Sequence, residues 1–333
     1  MTNTQAASDA TDVSTVDVHL DPEWMERSLR ADVLRGLMAT PKELPPKWFY
    51  DDAGSDLFDQ ITRLVEYYPT EAERQILAAR ASEIAELSGA DTVVELGSGT
   101  SDKTRVLLDA FVASGQLKTF IPFDVSEATL RHAAATIAES HPGVRVHAVV
   151  GDFEHHLPQI PSGGRQLAVF LGGTIGNFAP EARAAFLRSL AVRMKPGDSF
   201  LLGTDLIKDV DRLELAYDDP HGITAAFNKN VLIVINRELD ADFDPDSFEH
   251  VAFFDATNEW MDLNLRSVVD QQVRIEALDL TVHFAEGEMM RTEISAKFRR
   301  PGIEVELAAA GLRLTELWTD EAGDYALSLS VKS

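Results

Sequence analysis

The 333-residue sequence contains no cysteine, and this absence excludes several kinds of site. Disulfide frameworks, thiolate catalysis and cysteine-ligated metal centres all require the missing side chain. The nine histidines are scattered, and the adjacent pair His155-His156 lacks the spacing of metal ligands, so the sequence predicts no metal site. A chain without cysteine is compatible with the cytoplasmic location that we expect.

Basic residues are also scarce. The sequence has 30 Lys and Arg against 55 Asp and Glu, which gives a formal net charge of −25. Such a surface repels phosphate backbones and anionic lipids, so we expect neither a nucleic acid nor a membrane as partner. A small-molecule substrate fits this charge. The sequence does not determine the oligomeric state, and a monomer is compatible with it.

Long apolar runs are missing as well. No stretch approaches the ~20 apolar residues that a membrane span needs. The first twenty residues have neither the basic start nor the apolar centre of a signal peptide. They are rich in Thr, Ser, Ala and Asp, so we predict a disordered N-terminus over residues 1–20 of a soluble protein.

One segment organises what remains, the strand-like Thr92–Leu96 followed by Gly97-Ser98-Gly99 and a helical pattern from Thr104. A glycine turn between a strand and a helix presents backbone N–H groups at the positive end of the helix. Glycine also lets a nucleotide-like ligand approach the backbone closely. Dehydrogenases, flavoenzymes and methyltransferases share this feature, so the turn alone predicts only a nucleotide-like ligand.

Strand and helix patterns alternate after this turn. Helices are predicted at Glu127–Glu139 and Pro180–Met194. The strands are predicted at Thr92–Leu96, Thr119–Phe123, Arg145–Val150, Leu167–Leu171 and Ser199–Gly203. Apolar strands that alternate with helices indicate an α/β fold with a doubly wound, mostly parallel sheet.

The alternation stops between Asp205 and about Arg299, where helical stretches precede a run of alternating strands. A helix and a terminal hairpin, Leu312–Thr319 with Tyr325–Val331, would then complete the first sheet with an antiparallel edge. We therefore predict a cofactor domain of residues 72–206 and 298–333. An additional α+β substrate domain is predicted for residues 21–71 and 207–297.

The turn lacks the third glycine of the dinucleotide pattern, because Thr100 follows Gly99. Glu95, two residues before Gly97, is typical of S-adenosylmethionine (SAM) turns. The Tyr-x-x-x-Lys pair of a short-chain dehydrogenase does not occur. These features favour SAM over a dinucleotide.

The next strand ends support the same ligand. Asp124 is placed to accept hydrogen bonds from two ribose hydroxyls. Asp152 and Phe153 offer a carboxylate and a ring face to adenine, and the loop 172–177 lies at the sheet edge where such folds bind ligands. Each residue has an alternative role: Asp124 as a helix N-cap, Phe153 as a core ring.

The sequence resembles the histidine-specific Nα-methyltransferases of ergothioneine biosynthesis, from about residue 24 to the end. The resemblance is carried by Lys47–Asp51, Gly54–Phe58, Glu66–Thr70, Glu95–Thr100, Gly173–Asn177, Gly203–Leu206, Ala216–Asp218 and Ala225–Asn228. It implies a class I, Rossmann-like SAM-dependent methyltransferase fold. It also implies trimethylation of the α-amine of L-histidine to hercynine, with three equivalents of SAM, S-adenosylhomocysteine as the product and no metal.

The resemblance also implies roles for individual residues. The cofactor would be held by Gly97, Lys103, Asp124, Asp152 and Phe153. Histidine would be held by Tyr67, Asn177, Tyr217, Glu293 and Ser295. Tyr50 and Tyr67 would position the amine, and no general base is assigned. Leu263 stands where the family leads us to expect Met; both are apolar and similar in volume, so the pocket would change slightly in shape while histidine still fits.

The residue types suit these roles, although each has a structural alternative. Glu293 and Ser295 lie two apart in a predicted strand and share a face, where they could bind the two nitrogens of an imidazole or simply face solvent. Asn177 suits a turn equally well, and Tyr217 a domain interface. Tyr50 and Tyr67 would give a quaternary ammonium an aromatic wall, or pack as ordinary apolar residues.

Two further hypotheses remain from the sequence. One keeps the chemistry with another amino acid or small amine as acceptor. The other is a non-catalytic SAM-binding interaction protein.

Overall fold

The computed structural model describes residues 14–21, 23–99, 101, 103–153 and 155–333. Contacts divide the chain into two compact units. The first unit contains Arg80–Val169, Gly197–Ser199 and the described part of Met1–Leu20. The second unit contains Asp21–Ala79, Phe170–Pro196 and Phe200–Ser333.

The helices and strands follow the predicted order. The strands are β1 Ser14–Val18, β2 Lys42–Glu43, β3 Thr92–Leu96, β4 Thr119–Asp124, β5 Arg145–Val150, β6 Gln166–Phe170, β7 Ser199–Asp205, β8 Phe248–Asp255, β9 Trp260–Ser267, β10 Gln271–Ile275, β11 Leu280–Phe284, β12 Met289–Ala296, β13 Leu312–Thr319 and β14 Tyr325–Lys332. The α-helices are α1 Trp24–Met38, α2 Asp52–Ile61, α3 Pro69–Ser88, α4 Thr104–Ala113, α5 Glu127–Ser140, α6 Pro180–Arg193, α7 Val210–Tyr217, α8 Ile223–Leu239 and α9 Arg300–Ala309. Every strand predicted from the alternating pattern is confirmed to within two residues.

The first unit contains parallel strands in the order β1-β5-β4-β3-β6. All five residues of β3 are buried, which explains why its apolar residues, Val93, Val94 and Leu96, do not alternate with exposed polar ones. Because the strands are parallel, β3, β4 and β5 end at the same edge, where the turn, Asp124 and Asp152 follow. The pairing therefore brings together the three segments predicted to bind the cofactor.

Strand β1 corrects the predicted disorder of residues 1–20. Residues 14–18 pair in parallel with β5, from Ser14 opposite Val146 to Val18 opposite Val150. The segment is polar in composition, but Thr15, Val16 and Val18 are β-branched and favour a strand when backbone partners are available. Residues 1–13 lie outside the described part of the chain.

The second unit contains a four-stranded sheet in the order β2-β12-β9-β8 and the two-stranded sheet β10-β11. It also contains the antiparallel pair β13 and β14, with β14 next to β7. Helices α1 and α8 contribute Leu29, Val33, Val231 and Ile235 to a buried apolar cluster shared with strands β8–β12. This cluster supports the sheet that carries the predicted substrate residues.

A smaller apolar cluster lies under strand β9. Its buried members are Tyr68, Leu213, Ala216, Tyr217, Met261 and Leu263. Leu263 is therefore a packed core residue beside Tyr217, with 2% of its surface exposed. A Met at this position would have to fill the same enclosed volume.

The α/β fold class is confirmed, with a mostly parallel central sheet and an antiparallel C-terminal edge. The units defined by contacts differ from the predicted domains, because residues 72–79, 170–196, 200–206 and 298–333 group with the second unit rather than with the cofactor strands. That one domain binds the cofactor and the other the substrate stays a prediction. Among the described residues, no helix is long and apolar enough to cross a membrane.

Candidate active site

The turn after β3 is built for close backbone approach. Gly97 and Gly99 have φ angles of +67° and +48°, which favour glycine. Ser101 has φ +56° and is buried, and its hydroxyl donates to Glu95 at 2.7 Å. The local sequence therefore fixes the turn through two glycines and the hydrogen bonds of Ser101, whose backbone N–H also donates to the Ser98 carbonyl at 2.7 Å.

Glu95 is the anchor of this turn. Its carboxylate is 5% exposed and accepts hydrogen bonds from the hydroxyls of Ser101 and Thr104, the latter at the start of α4. Burial raises the pKa of Glu95 to about 7, while the two hydroxyls and Lys103 act in the opposite direction. Glu95 thus joins the end of β3 to the start of α4 and shapes the turn.

Asp124, at the end of β4, lies next to the glycine turn. Its carboxylate accepts hydrogen bonds from the backbone N–H groups of Gly99 and Ser126, each at 3.0 Å. Burial raises its pKa, partly offset by these N–H groups. The N-cap of α5 is Ser126, which accepts from Thr129 N–H, so the alternative role of Asp124 as that helix's N-cap is wrong.

Asp152 and Phe153 lie directly after β5. Asp152 is buried, and the Phe153 ring stacks on Phe123, with ring centroids 5.6 Å apart and planes at 26°. Phe153 is only half-buried, so its packing on Phe123 leaves part of the side chain accessible. The two residues place a carboxylate and an aromatic ring beside the end of the strand.

In the second unit, Glu293 and Ser295 lie on one face of β12 and have different partners. They stand opposite Leu263 and Met261 of β9. The side-chain amide of Asn177 donates to the Glu293 carboxylate. Ser295 shares a hydrogen bond of 2.8 Å with the hydroxyl of Tyr217. Four of the predicted histidine-binding residues are therefore joined in two hydrogen-bonded pairs, and each pair has one member on β12.

The environment of Glu293 changes its acidity. Burial raises its pKa to about 7, while the Asn177 amide and the charge of Lys297 act to lower it. The carboxyl group therefore titrates near neutral pH in the free protein. Such a group can exchange between hydrogen-bond donor and acceptor under ordinary conditions.

Tyr217 is the last residue of α7, and both its backbone carbonyl and its hydroxyl are hydrogen-bonded. Its backbone carbonyl accepts from Nε2–H of His250 at 2.8 Å, because Nδ1 of His250 accepts from the Asn228 amide, also at 2.8 Å. Burial lowers the pKa of His250 and raises that of Tyr217. The phenol hydroxyl therefore stays protonated and fixed in place.

The aromatic residues form a connected group. The rings of Tyr67 and Tyr217 lie 6.0 Å apart, and that of Tyr50 lies 5.3 Å from Phe227 and 5.5 Å from Phe58. Tyr50 is 49% exposed, whereas Trp48 and Phe49 are buried, as packing residues should be. Tyr50 and Tyr67 thus belong to one aromatic group that reaches Tyr217.

A family model described as a SAM-dependent, histidine-specific methyltransferase matches residues 29–332. The chain belongs to this family. A relative from Mycobacterium tuberculosis named histidine N-alpha-methyltransferase is 59% identical over 94% of this chain and 98% of its own length. A protein of the same name from Mycolicibacterium smegmatis is 60% identical with the same coverage. The ergothioneine biosynthesis protein 1 of Schizosaccharomyces pombe is 34% identical over 73% of this chain and 32% of its own length.

The methyltransferase uses SAM, and the residues of its first unit fit that cofactor. A Cβ placed on Gly99 would meet no atom of the described residues beyond its chain neighbours within 4 Å, so these residues leave the backbone of the turn open on that side. The half-buried carboxylate of Asp124, the buried carboxylate of Asp152 and the accessible ring of Phe153 complete a set that suits hydroxyls, an amine and an adenine face. Lys103 stands at the N-terminus of α4. No group of side chains with metal-ligand geometry occurs among the residues described.

Sequence reasoning missed several residues of this methyltransferase. Lys297 is 3% exposed and donates to Tyr217 and Ser295. The period-2 spacing that paired Glu293 with Ser295 reaches Lys297 in one further step, so a local signal existed. Phe58 and Phe227 carried no such signal, because their contacts with Tyr50 depend on the tertiary fold.

Glu73, which is fully buried, is a further residue that sequence reasoning missed. Its carboxylate accepts from the N–H of Gly172 at 2.8 Å and from the hydroxyl of Tyr325 at 2.8 Å. Gly172 opens the loop that leads to Asn177, so Glu73 fixes the start of that loop.

Proposed function

We propose that the protein trimethylates the α-amino group of L-histidine to hercynine, the first step of ergothioneine biosynthesis. The observation that carries the proposal is the paired arrangement on β12, with Glu293 bound by Asn177 and Ser295 bound by Tyr217. It occurs in a histidine-specific methyltransferase whose relatives at 59–60% identity are named histidine N-alpha-methyltransferase.

Glu293 and Ser295 would bind the imidazole. A carboxylate accepts from one ring N–H, and a hydroxyl can donate to the other ring nitrogen, which is the pattern of a neutral imidazole. Asn177 already donates one amide proton to Glu293, and its carbonyl oxygen remains an acceptor for the α-amine of the substrate. Tyr67 and Tyr217 would enclose the side chain.

Tyr50 and Tyr67 would position the amine. Each methyl transfer makes the acceptor nitrogen more substituted, and the final product is a quaternary ammonium that cannot donate a hydrogen bond. An aromatic face stabilises such a cation without a donor. The connected rings of Tyr50, Phe58 and Tyr67 supply that kind of surface.

The cofactor would be held by Gly97, Lys103, Asp124, Asp152 and Phe153. When bound, SAM supplies an electrophilic methyl group on its sulfonium and leaves as S-adenosylhomocysteine. The chain's residues align the amine lone pair, so positioning provides most of the acceleration. The amine must be neutral to react, and we assign no general base to its proton.

We expect a cytoplasmic enzyme whose partner is a small molecule. The net charge of −25 disfavours both a nucleic acid and an anionic membrane as substrate. Substrate and product are both small enough for a site formed by a few side chains.

A competition assay tests the proposal. The purified protein is incubated with SAM and an equimolar mixture of the common amino acids, and the products are identified by mass spectrometry. We expect mono-, di- and trimethylated histidine to predominate. Methylation of another amino acid in preference would favour the hypothesis of a different acceptor. Cofactor binding in calorimetry without any methylated product would favour a non-catalytic SAM-binding protein.

A further inference from the structure

Lys297 is a buried cation next to the proposed histidine-binding residues. Its side chain is fully buried, and Nζ donates to the Tyr217 hydroxyl at 2.8 Å and to the Ser295 hydroxyl at 2.9 Å. The third contact of Nζ is an ion pair of 2.9 Å with the carboxylate of Asp205. An ammonium has three protons and no acceptor, so these three partners use all of them.

The protons of the two hydroxyls can then be counted. Tyr217 and Ser295 share one hydrogen bond, so one of their two protons lies between them. The hydroxyl oxygen that accepts this proton also accepts a hydrogen bond from Lys297. Both acceptor sites of that oxygen are then filled, and the proton of the same hydroxyl is free to donate elsewhere. In the part of the chain that the structure describes, neither hydroxyl has a further hydrogen-bond partner. Whichever hydroxyl donates within the pair, one O–H remains as an outward donor.

Asp205 keeps the cation in this role. Its carboxylate is 4% exposed and is paired with Lys297 and Lys208, and it accepts from the Tyr68 hydroxyl at 2.8 Å. Burial works to raise the pKa of Asp205, but the two ammonium groups outweigh it and lower the pKa. Lys208 donates to Tyr68 and to the Leu206 carbonyl, and so it shares the carboxylate without touching the hydroxyl pair.

We propose that Lys297 is a positioning residue that fixes the Ser295–Tyr217 pair as a hydrogen-bond donor toward an unprotonated ring nitrogen of the substrate. The inference rests on the proposed function, since it assigns this pair to the imidazole. Glu293 provides the complementary acceptor on the same strand face. Together they select a neutral five-membered ring with one N–H and one bare nitrogen, in a single orientation.

Ligand analogues that lack the bare nitrogen test this assignment. The two pyrrolylalanine isomers each replace one ring nitrogen of histidine by C–H and keep the other as N–H. Dissociation constants are measured by calorimetry with S-adenosylhomocysteine present. The wild-type protein is expected to bind histidine at least about tenfold more tightly than the better isomer, because the analogue leaves the outward donor unpaired.

Substitutions at the two lysines separate positioning from packing. Lys297→Met is expected to reduce the preference for histidine over the analogue by at least about fivefold, because the pair can then turn an acceptor toward the ring. Lys297→Arg keeps a donor and should retain the preference. Lys208→Met is the matched control: it removes the other cation on Asp205 and should leave the preference unchanged.

Several results would overturn the assignment. One is a wild-type protein that binds histidine and the analogue equally tightly. Another is a Lys297→Met variant in which the affinities for both ligands fall by the same factor. The third is a Lys208→Met variant that loses as much of the preference for histidine as Lys297→Met does. If Lys297→Met does not fold, Lys297→Gln replaces it, since an amide can accept as well as donate and should also reduce the preference. The proposed function is tested separately by methylation of histidine in the wild-type protein, so the two failures are distinguishable.

Discussion

Removal from water raises the pKa of both Glu95 and Glu293 to about 7, yet the surroundings of the two carboxyl groups differ. Glu95 is satisfied by two hydroxyls of its own turn, so its hydrogen bonds maintain local structure. Glu293 receives one amide proton from Asn177, and a carboxylate can accept further hydrogen bonds. Of the two, Glu293 has the chemistry of a ligand-binding group.

Glu293→Ala is expected to raise the KM for histidine at least about tenfold, because the substrate ring loses a buried charged acceptor. The KM for SAM should change less than about threefold, and steady-state kinetics with each substrate varied in turn measures both. Glu286→Ala, which removes an exposed carboxylate just before the same strand, is the control. Equal increases in the two KM values would indicate that Glu293 is structural.

The raised pKa of Glu293 predicts a pH dependence. The ionised carboxylate is a stronger acceptor for a ring N–H than the protonated acid, so kcat/KM for histidine should fall as the pH drops below about 7, with SAM saturating. The imidazole of free histidine also titrates near this pH. Glu293→Gln is therefore expected to lose one ionisation from the acid limb and keep that of the substrate. Superimposable profiles for the two proteins would contradict the assignment.

Strands β3, β4, β5 and β12 carry or immediately precede most of the candidate residues, and the positions of these strands are predictable from sequence. Apolar runs and period-2 alternation are local patterns, so a single sequence reveals them. Partners far apart in the chain are different. Lys297 meets Tyr217 across 80 residues, and Tyr68 meets Asp205 across 137, and no local pattern specifies such pairs. The same limit explains why β1 was missed, since its strand forms only beside β5.

The packing between α3, β7 and β14 leads to a prediction at this scale. A Cβ on Gly203 would lie 2.4 Å from Oε1 of Glu73 and 2.6 Å from the Tyr325 hydroxyl, both buried. Gly203→Ala should therefore destabilise the fold by about 1–3 kcal/mol, measured by chemical denaturation.

Gly302→Ala provides the matched comparison for that substitution. Gly302 lies in α9, and an added Cβ would have no atom of the described part of the chain within 4 Å apart from its own helix backbone and chain neighbours, so alanine should be neutral or stabilise by up to about 1 kcal/mol. If both variants lose stability equally, close packing around Gly203 is not the cause.

At the scale of the whole molecule, the described chain forms two compact units. The residues predicted to bind the cofactor lie in the first unit, and those predicted to bind the substrate histidine lie in the second. The sequence predicted both sets but placed residues 298–333 with the cofactor strands. Contacts place them in the second unit, because Tyr325 and Glu73 join β14 to the loop before Asn177. Hydrogen bonds between residues far apart in the chain thus determine the grouping of residues 298–333, which local sequence patterns do not specify.

The division predicts separate footprints for the two ligands in hydrogen exchange measured by mass spectrometry. S-adenosylhomocysteine alone should protect the backbone of the turn at Gly97 to Gly99 and the ends of β4 and β5. Histidine added afterwards should bring new protection to β12 and the end of α7. Protection of the first-unit segments alone by histidine would contradict the assigned substrate residues.

The central claim is that the acceptor is the α-amine of histidine. The most direct measurement is the NMR spectrum of the product formed from histidine and SAM that carries a labelled methyl group. We predict a single trimethylammonium signal correlated with the α-carbon and its proton, with the imidazole unmodified. A methyl group on a ring nitrogen, or the absence of any methylated histidine, would contradict it.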